Sequence, residues 1–237
     1  MKILAFDGTA KAASVALSED GKILASYTVD NGLTQSELLL PMAESLLRSL
    51  KLEFSDVDIF ATSVGPGSFT GVRIGVSLIK GLAFGRKAPC VAVSTIEALA
   101  ENLSPLKGML VPCMDARRNQ VYTATFRCDG KEITRLCEDR AISLDELAKE
   151  LHSYDGPIYL SGDGYRVAKA ALEKAGVSIS ETPPILINEN AESVARVAER
   201  KYKSGEYVTD TELSPTYLRL PQAERERLER QAEKSNT

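Results

Sequence analysis

The sequence is most restrictive in what it lacks. Its 237 residues include one histidine, no tryptophan and four cysteines. With His152 alone, a zinc or iron site built from two or three imidazoles cannot be assembled, and neither can HExxH chemistry. A Ser-His-Asp triad would depend on that same residue, and no GxSxG turn accompanies it. His152 instead ends the polar stretch LDELAKELH, where a cation suits the C-terminal end of a helix dipole. Cys90, Cys113, Cys128 and Cys137 form no CxxC pair and read as reduced thiols of a cytoplasmic protein. No apolar run is long enough to cross a bilayer. The opening MKILAFDGT is interrupted by Asp7 and lacks a small-residue cleavage site, so it reads as a first strand. A basic excess is also missing: 29 Lys and Arg stand against 33 Asp and Glu, a net charge of -4. Proteins that bind nucleic acid alone draw most of their affinity from phosphate neutralisation. Any RNA is therefore expected to be held mainly by another chain.

What is present is a pattern that occurs twice. KILAFDG reads as a strand ending in Asp7, and SVALSED and KILASYTV as a hairpin about Asp20-Gly21. TQSELLLPMAESLLRSL has helical periodicity, with Thr34 or Ser36 as cap and Pro41 tolerated in the first turns. DVDIFATSV reads as a strand, followed by GPGSFTG and a helix to about Phe84. The order then returns: GMLVPCMD ends in Asp115, QVYTATFR and KEITRLCE flank Asp129-Gly130, and SLDELAKELH reads as a helix. GPIYLSG is the next strand, and GDGYRVAKAALEKAG a helix closed by Gly176. Asp7 matches Asp115, and SVGPG matches LSGDG. Two such units predict an α/β fold of duplicated ribonuclease H-like lobes, each a mixed sheet with helices, as in the actin-like ATPase superfamily. The first lobe is expected over residues 1–104 and the second over 105–220. The remainder, 221–237, reads as a charged, flexible tail.

Proteins of that superfamily hold ATP phosphates between glycine-rich hairpins that follow an aspartate in each lobe. The first hairpin, DGTAKAASVAL, keeps Asp7, Gly8 and Thr9. The second, DARRNQVYTATF, keeps Asp115 but has no glycine and puts Arg117 and Arg118 where backbone amides would have to approach. The nucleotide site reads as degenerate, and no cofactor is expected. The loop GPGSFTG is no P-loop, lacking the lysine-serine pair. On a helical wheel Gly71, Gly75, Leu78 and Leu82 share one face, while Val72, Val76, Ile79 and Ala83 form another. Two apolar faces call for two partners. The preceding helix carries Leu39, Met42 and Leu46 in a similarly broad stripe. These seven residues are the expected partner or dimer interface, in or directly beneath a helical contact.

MKILAFDGTAKAASVAL, TSVGPGSFTGVRIGVSLIKGLAFG, VSTIEALA, MDARRNQVYTATF and SPTYLR resemble the bacterial TsaB family, also called YeaZ, from Met1 to about Arg219. The resemblance implies a non-catalytic subunit in forming threonylcarbamoyladenosine on tRNAs that read ANN codons. It implies pairing with the metal-bearing paralogue TsaD, with the ATPase TsaE joining them and a homodimer when alone, all in the cytoplasm. Contact with tRNA would be indirect, through the complex. Gln35 stands where the family often has histidine. The competing reading is a stand-alone ATP-dependent kinase on the same fold, and against it stands the missing second phosphate hairpin. A metallopeptidase is a third reading, which the single histidine disfavours.

Overall fold

In the computed structural model residues 1–219 are described, so the expected charged tail at 221–237 lies outside the described residues. The chain opens with an antiparallel meander, β1 (Lys2–Asp7), β2 (Ala13–Glu19) and β3 (Lys22–Val29). The β2–β3 turn places Asp20 and Gly21 at φ 49 and 82, the double positive φ that a tight hairpin requires. A helix, α1 (Gln35–Ser49), leads to β4 (Ile59–Ser63), which lies parallel to β1. The next helix, α2 (Phe69–Ala83), leads to β5 (Cys90–Val93), parallel to β4. The first sheet has the order β3-β2-β1-β4-β5. α1 begins at Gln35, where the Thr34 N–H donates to the Glu37 carboxylate at 2.9 Å, and Pro41 lies exposed within the helix without delaying its start.

The second lobe repeats this plan after α3 (Thr95–Asn102). Its first strand is β6 (Gly108–Asp115), and β7 (Gln120–Thr123) and β8 (Phe126–Cys128) pair antiparallel with it. Cys113 faces Thr123 and Leu110 faces Phe126, so both ladders keep one register. The segment QVYTATFR is thus one strand path whose ladder is interrupted beside Pro112, which has no N–H to donate. The Thr123 hydroxyl donates to the Pro112 carbonyl at 2.6 Å instead. β9 (Ile133–Arg135) pairs with β8, and β10 (Arg140–Ser143) with β7, completing the meander. α4 (Leu144–Leu151) then leads to β11 (Ile158–Ser161), parallel to β6 as β4 is to β1. α5 (Tyr165–Lys174) follows, and the chain returns beside β11. There the Ser180 N–H donates to the Ile158 carbonyl at 2.8 Å.

The final helix, α6 (Ala191–Lys203), packs on the first sheet rather than the second. Its inner face of Ala191, Val194, Ala195, Val197 and Ala198 is fully buried against Ile3, Ala5, Ala16, Ile59, Ala61, Val91 and Val93. Small side chains let the helix approach the sheet closely, and each valine buried there contributes about 1.5–3 kcal/mol. α3 packs in the reverse sense, with Ile96, Leu99, Ala100 and Leu103 against Leu110, Met114, Phe126 and Cys128 of the second lobe. The two lobes are therefore joined through a pair of central helices. Residues beyond α6 also return to the first lobe: Val208 and Cys90 exchange two backbone hydrogen bonds, and the Thr216 N–H donates to the Val64 carbonyl at 2.8 Å.

Candidate partner interface

Asp7 ends β1 at the junction of the lobes, fully buried. Its Oδ1 accepts from the Thr9 N–H at 2.9 Å and the Thr9 hydroxyl at 2.8 Å, and its Oδ2 accepts from the Ser63 hydroxyl at 2.5 Å. Burial pushes the Asp7 carboxyl up, and the Ser63 and Thr9 bonds partly offset that. The hairpin that follows is covered. The Thr9 carbonyl accepts from the Ser68 N–H at 2.7 Å, and Gln35 donates to the Ala10 carbonyl at 2.8 Å. A methyl group on Gly67 would lie 2.6 Å from the Thr9 carbonyl oxygen, and one on Gly71 only 1.9 Å from that of Gly8. The glycine loop thus lies against the hairpin where a phosphate would have to enter. The start of α2 is also closed, because the Ser68 hydroxyl accepts from the Gly71 N–H at 3.2 Å.

The matching position in the second lobe is Asp115. Its N–H donates to Asp163 at 2.8 Å, and its own carboxylate accepts from the Arg117 N–H at 2.8 Å and pairs with the Arg117 guanidinium at 3.1 Å. Glu189, which the sequence pattern does not single out, lies beside Asp163 and within reach of the charge of Asp7. Its carboxylate accepts from the Asp163 N–H at 3.2 Å. Burial first, then the charge of Asp7, pushes Glu189 up to about 8. Asp163 is likewise pushed up, chiefly by burial. Asp7, Asp163 and Glu189 therefore bring three acidic side chains to the junction, where burial favours the protonated form of each. Among the described residues no group of three or more His, Cys, Asp or Glu is arranged to hold a metal ion. His152 C-caps α4 and is exposed.

The seven expected interface residues divide into two groups. Leu39, Met42 and Leu46 are buried within the first lobe, together with Gly71 and Gly75. The glycine face of α2 is turned inward: Gly71 meets the Gly8 backbone, and a methyl on Gly75 would lie 2.9 Å from the Thr62 hydroxyl. Leu78 and Leu82 are only partly buried and continue the row begun by Ile74 along α2. This row ends at Phe84, which is 77% exposed, and Gly81 beside it has nothing within 4 Å of where a side chain would start. Leu40 on α1 and Leu33 before it are exposed as well. On α2 the glycines belong to the inner face, while Ile74, Leu78 and Leu82 form a partly covered row beside it.

Two mixed sheets of matching strand plan, each first strand ending in an aspartate at the junction, define a duplicated ribonuclease H-like protein of the actin-like class. The family model described as TsaD, tRNA N6-adenosine threonylcarbamoyltransferase, matches residues 34–227. The chain is 31% identical to the tRNA threonylcarbamoyladenosine biosynthesis protein TsaB of Bacillus subtilis, over 98% of this chain and 100% of that one. It is 30% identical to the TsaB protein of Escherichia coli, over 92% and 95% respectively. The solved structure of YeaZ from Pseudomonas aeruginosa has a TM-score of 0.75 at 26% identity and covers 92% of this chain and 99% of its own. The chain belongs to the TsaB (YeaZ) family.

Proposed function

We propose that this protein is a non-catalytic subunit in the formation of threonylcarbamoyladenosine on ANN-decoding tRNAs, acting by binding TsaD. The observation that carries this reading is the row of Ile74, Leu78 and Leu82 on α2, which the core of the lobe covers only in part and which leads to exposed Phe84. A helix that buries one apolar face on its own core and keeps a second is suited to packing on a second copy of the fold. The same face would serve the homodimer and the TsaD pair, so TsaD should compete with self-association. TsaE would join the assembled pair, in the cytoplasm, and TsaD would hold most of the tRNA.

The filled hairpin at Gly8–Thr9 and the crowd of carboxylates at the lobe junction argue against triphosphate binding by this chain alone. The absence of an imidazole from the junction argues against peptidase chemistry, although the name of one solved relative mentions similarity to a peptidase. The test is co-purification with TsaD, followed by a tRNA modification assay with and without this chain. Modification that proceeds equally well without it would sink the proposal. Stoichiometric ATP binding by the pure protein would favour the kinase reading.

A further inference from the structure

We propose that Arg117 and Arg118 form an edge that binds RNA phosphates. The proposal rests on the reading that the chain acts in a tRNA-modifying complex. Arg117, Arg118 and Asn119 have φ of 63, 55 and 59, three consecutive left-handed residues that all carry a Cβ. Asparagine tolerates this conformation, whereas arginine gains nothing from it locally. The turn is held from several sides. Asp115 accepts the Arg117 N–H, the Arg117 carbonyl accepts the Gln120 N–H at 3.2 Å, and the Asn119 carbonyl accepts the Leu144 N–H at 3.1 Å. Arg219 then reaches in from the far end of the described chain, donating to the Ala116 carbonyl at 3.2 Å and to the Gln120 side chain. The result of this bracing is to present two guanidinium groups to solvent. The Arg117 side chain is 86% exposed, and Arg118 makes no hydrogen bond or ion pair among the described residues.

Another arginine, Arg73 of the first lobe, is held by the same C-terminal segment. The Arg73 guanidinium lies 3.7 Å over the Phe69 ring, and its Nε donates to the Tyr217 hydroxyl at 2.8 Å, while the Phe69 and Tyr217 rings stack at 5.0 Å. Tyr217 and Arg219 are two residues apart, so one short segment braces both Arg73 and the turn that carries Arg117. The aromatic faces here are engaged with one another. What the edge still offers is N–H donors in rigid forks, which suit phosphate oxygens better than the apolar centre of a protein contact. In a chain of net charge -4 such an edge is a local exception, and it contributes to RNA binding without supplying most of it.

The test uses Arg117→Glu/Arg118→Glu and the conservative Arg117→Lys/Arg118→Lys, each assembled with TsaD and TsaE. Affinity for an unmodified transcript of an ANN-decoding tRNA is measured against salt concentration, and co-elution with TsaD is measured alongside. The reversed variant is expected to co-elute normally but to bind the transcript about tenfold more weakly at low salt. The slope of log affinity against log salt should fall by about 1–2, while the lysine variant retains the salt dependence. Unchanged affinity and slope would overturn the proposal, and so would loss of co-elution with TsaD, which would assign the edge to an acidic protein surface. The same transcript titrated into the lone chain repeats the comparison. If the wild-type chain does not pair with TsaD, the functional reading fails and this titration alone decides the arginine edge.

Discussion

Gly71 is glycine because the Gly8 carbonyl occupies the space where its side chain would begin. That approach lets the first turn of α2 lie on the hairpin after Asp7, and it fixes the sign of a substitution. Gly71→Ala should destabilise the fold by about 1–3 kcal/mol through overpacking, because its neighbour is backbone and cannot swing aside. Denaturant unfolding would measure this, and a variant as stable as wild type would mean the hairpin yields freely. Arg118 presents the opposite case. It adopts φ 55 without the freedom that glycine has there. Arg118→Gly should remove a left-handed penalty of about 1–2 kcal/mol, offset by the greater chain entropy of glycine, for a net gain of about 0.5–1 kcal/mol. A thermal melt should show Tm raised by a few degrees. An unchanged or lowered Tm would mean that the arginine side chain itself supports the turn.

At the scale of elements, the sequence declared most of the strands and helices through hydrophobic period and turn residues. The hairpin at Asp20-Gly21, the Thr34 start of α1 and the Gly176 stop after α5 all fall where their residue types put them. It declared less where one residue interacts with a distant one. The interruption between β7 and β8 comes from Pro112 on the neighbouring strand, and nothing within QVYTATFR signals it. The two apolar faces of α2 were legible, but a wheel does not say which face meets the core. That was decided by Gly8 and Thr62, remote in sequence. The left-handed turn at Arg117 was equally hidden, since only Asn119 in it favours that conformation. The outer face of α2 supplies the prediction at this scale. Leu78→Lys should leave circular dichroism and Tm close to wild type, because Leu78 is only partly buried, while reducing both homodimer formation and co-elution with TsaD. Loss of about 1.5–3 kcal/mol of apolar burial in the interface corresponds to roughly a ten- to hundredfold weaker association. Sedimentation that still shows a dimer, with TsaD still bound, would move the interface elsewhere.

Across the whole molecule, the lobes meet through α3, α6 and a set of acidic side chains. Glu189 lies at that meeting point, accepting from Asp163 of the second lobe and feeling the charge of Asp7 of the first. Asn190 beside it caps α6, but nothing in the local sequence marks Glu189, because burial of an acid is set by what the opposite lobe brings over it. The consequence is a pH dependence of definite sign. Glu189 titrates near 4.5 in an unfolded chain and about 8 in the folded protein. Between those values the folded state binds a proton that the unfolded state has released. Stability from this group is therefore full below about pH 4.5 and is lost as pH rises through about 8, with a total on the order of a few kcal/mol. Asp7, pushed up as well, acts in the same direction. Glu189→Gln keeps an acceptor for the Asp163 N–H but cannot ionise. It should flatten the fall of Tm between pH 5 and 8 and leave the variant more stable than wild type at the alkaline end. If instead the two Tm profiles run parallel across that range, Glu189 is ionised in the folded protein, and a cation or water must reach the lobe junction to hold its charge.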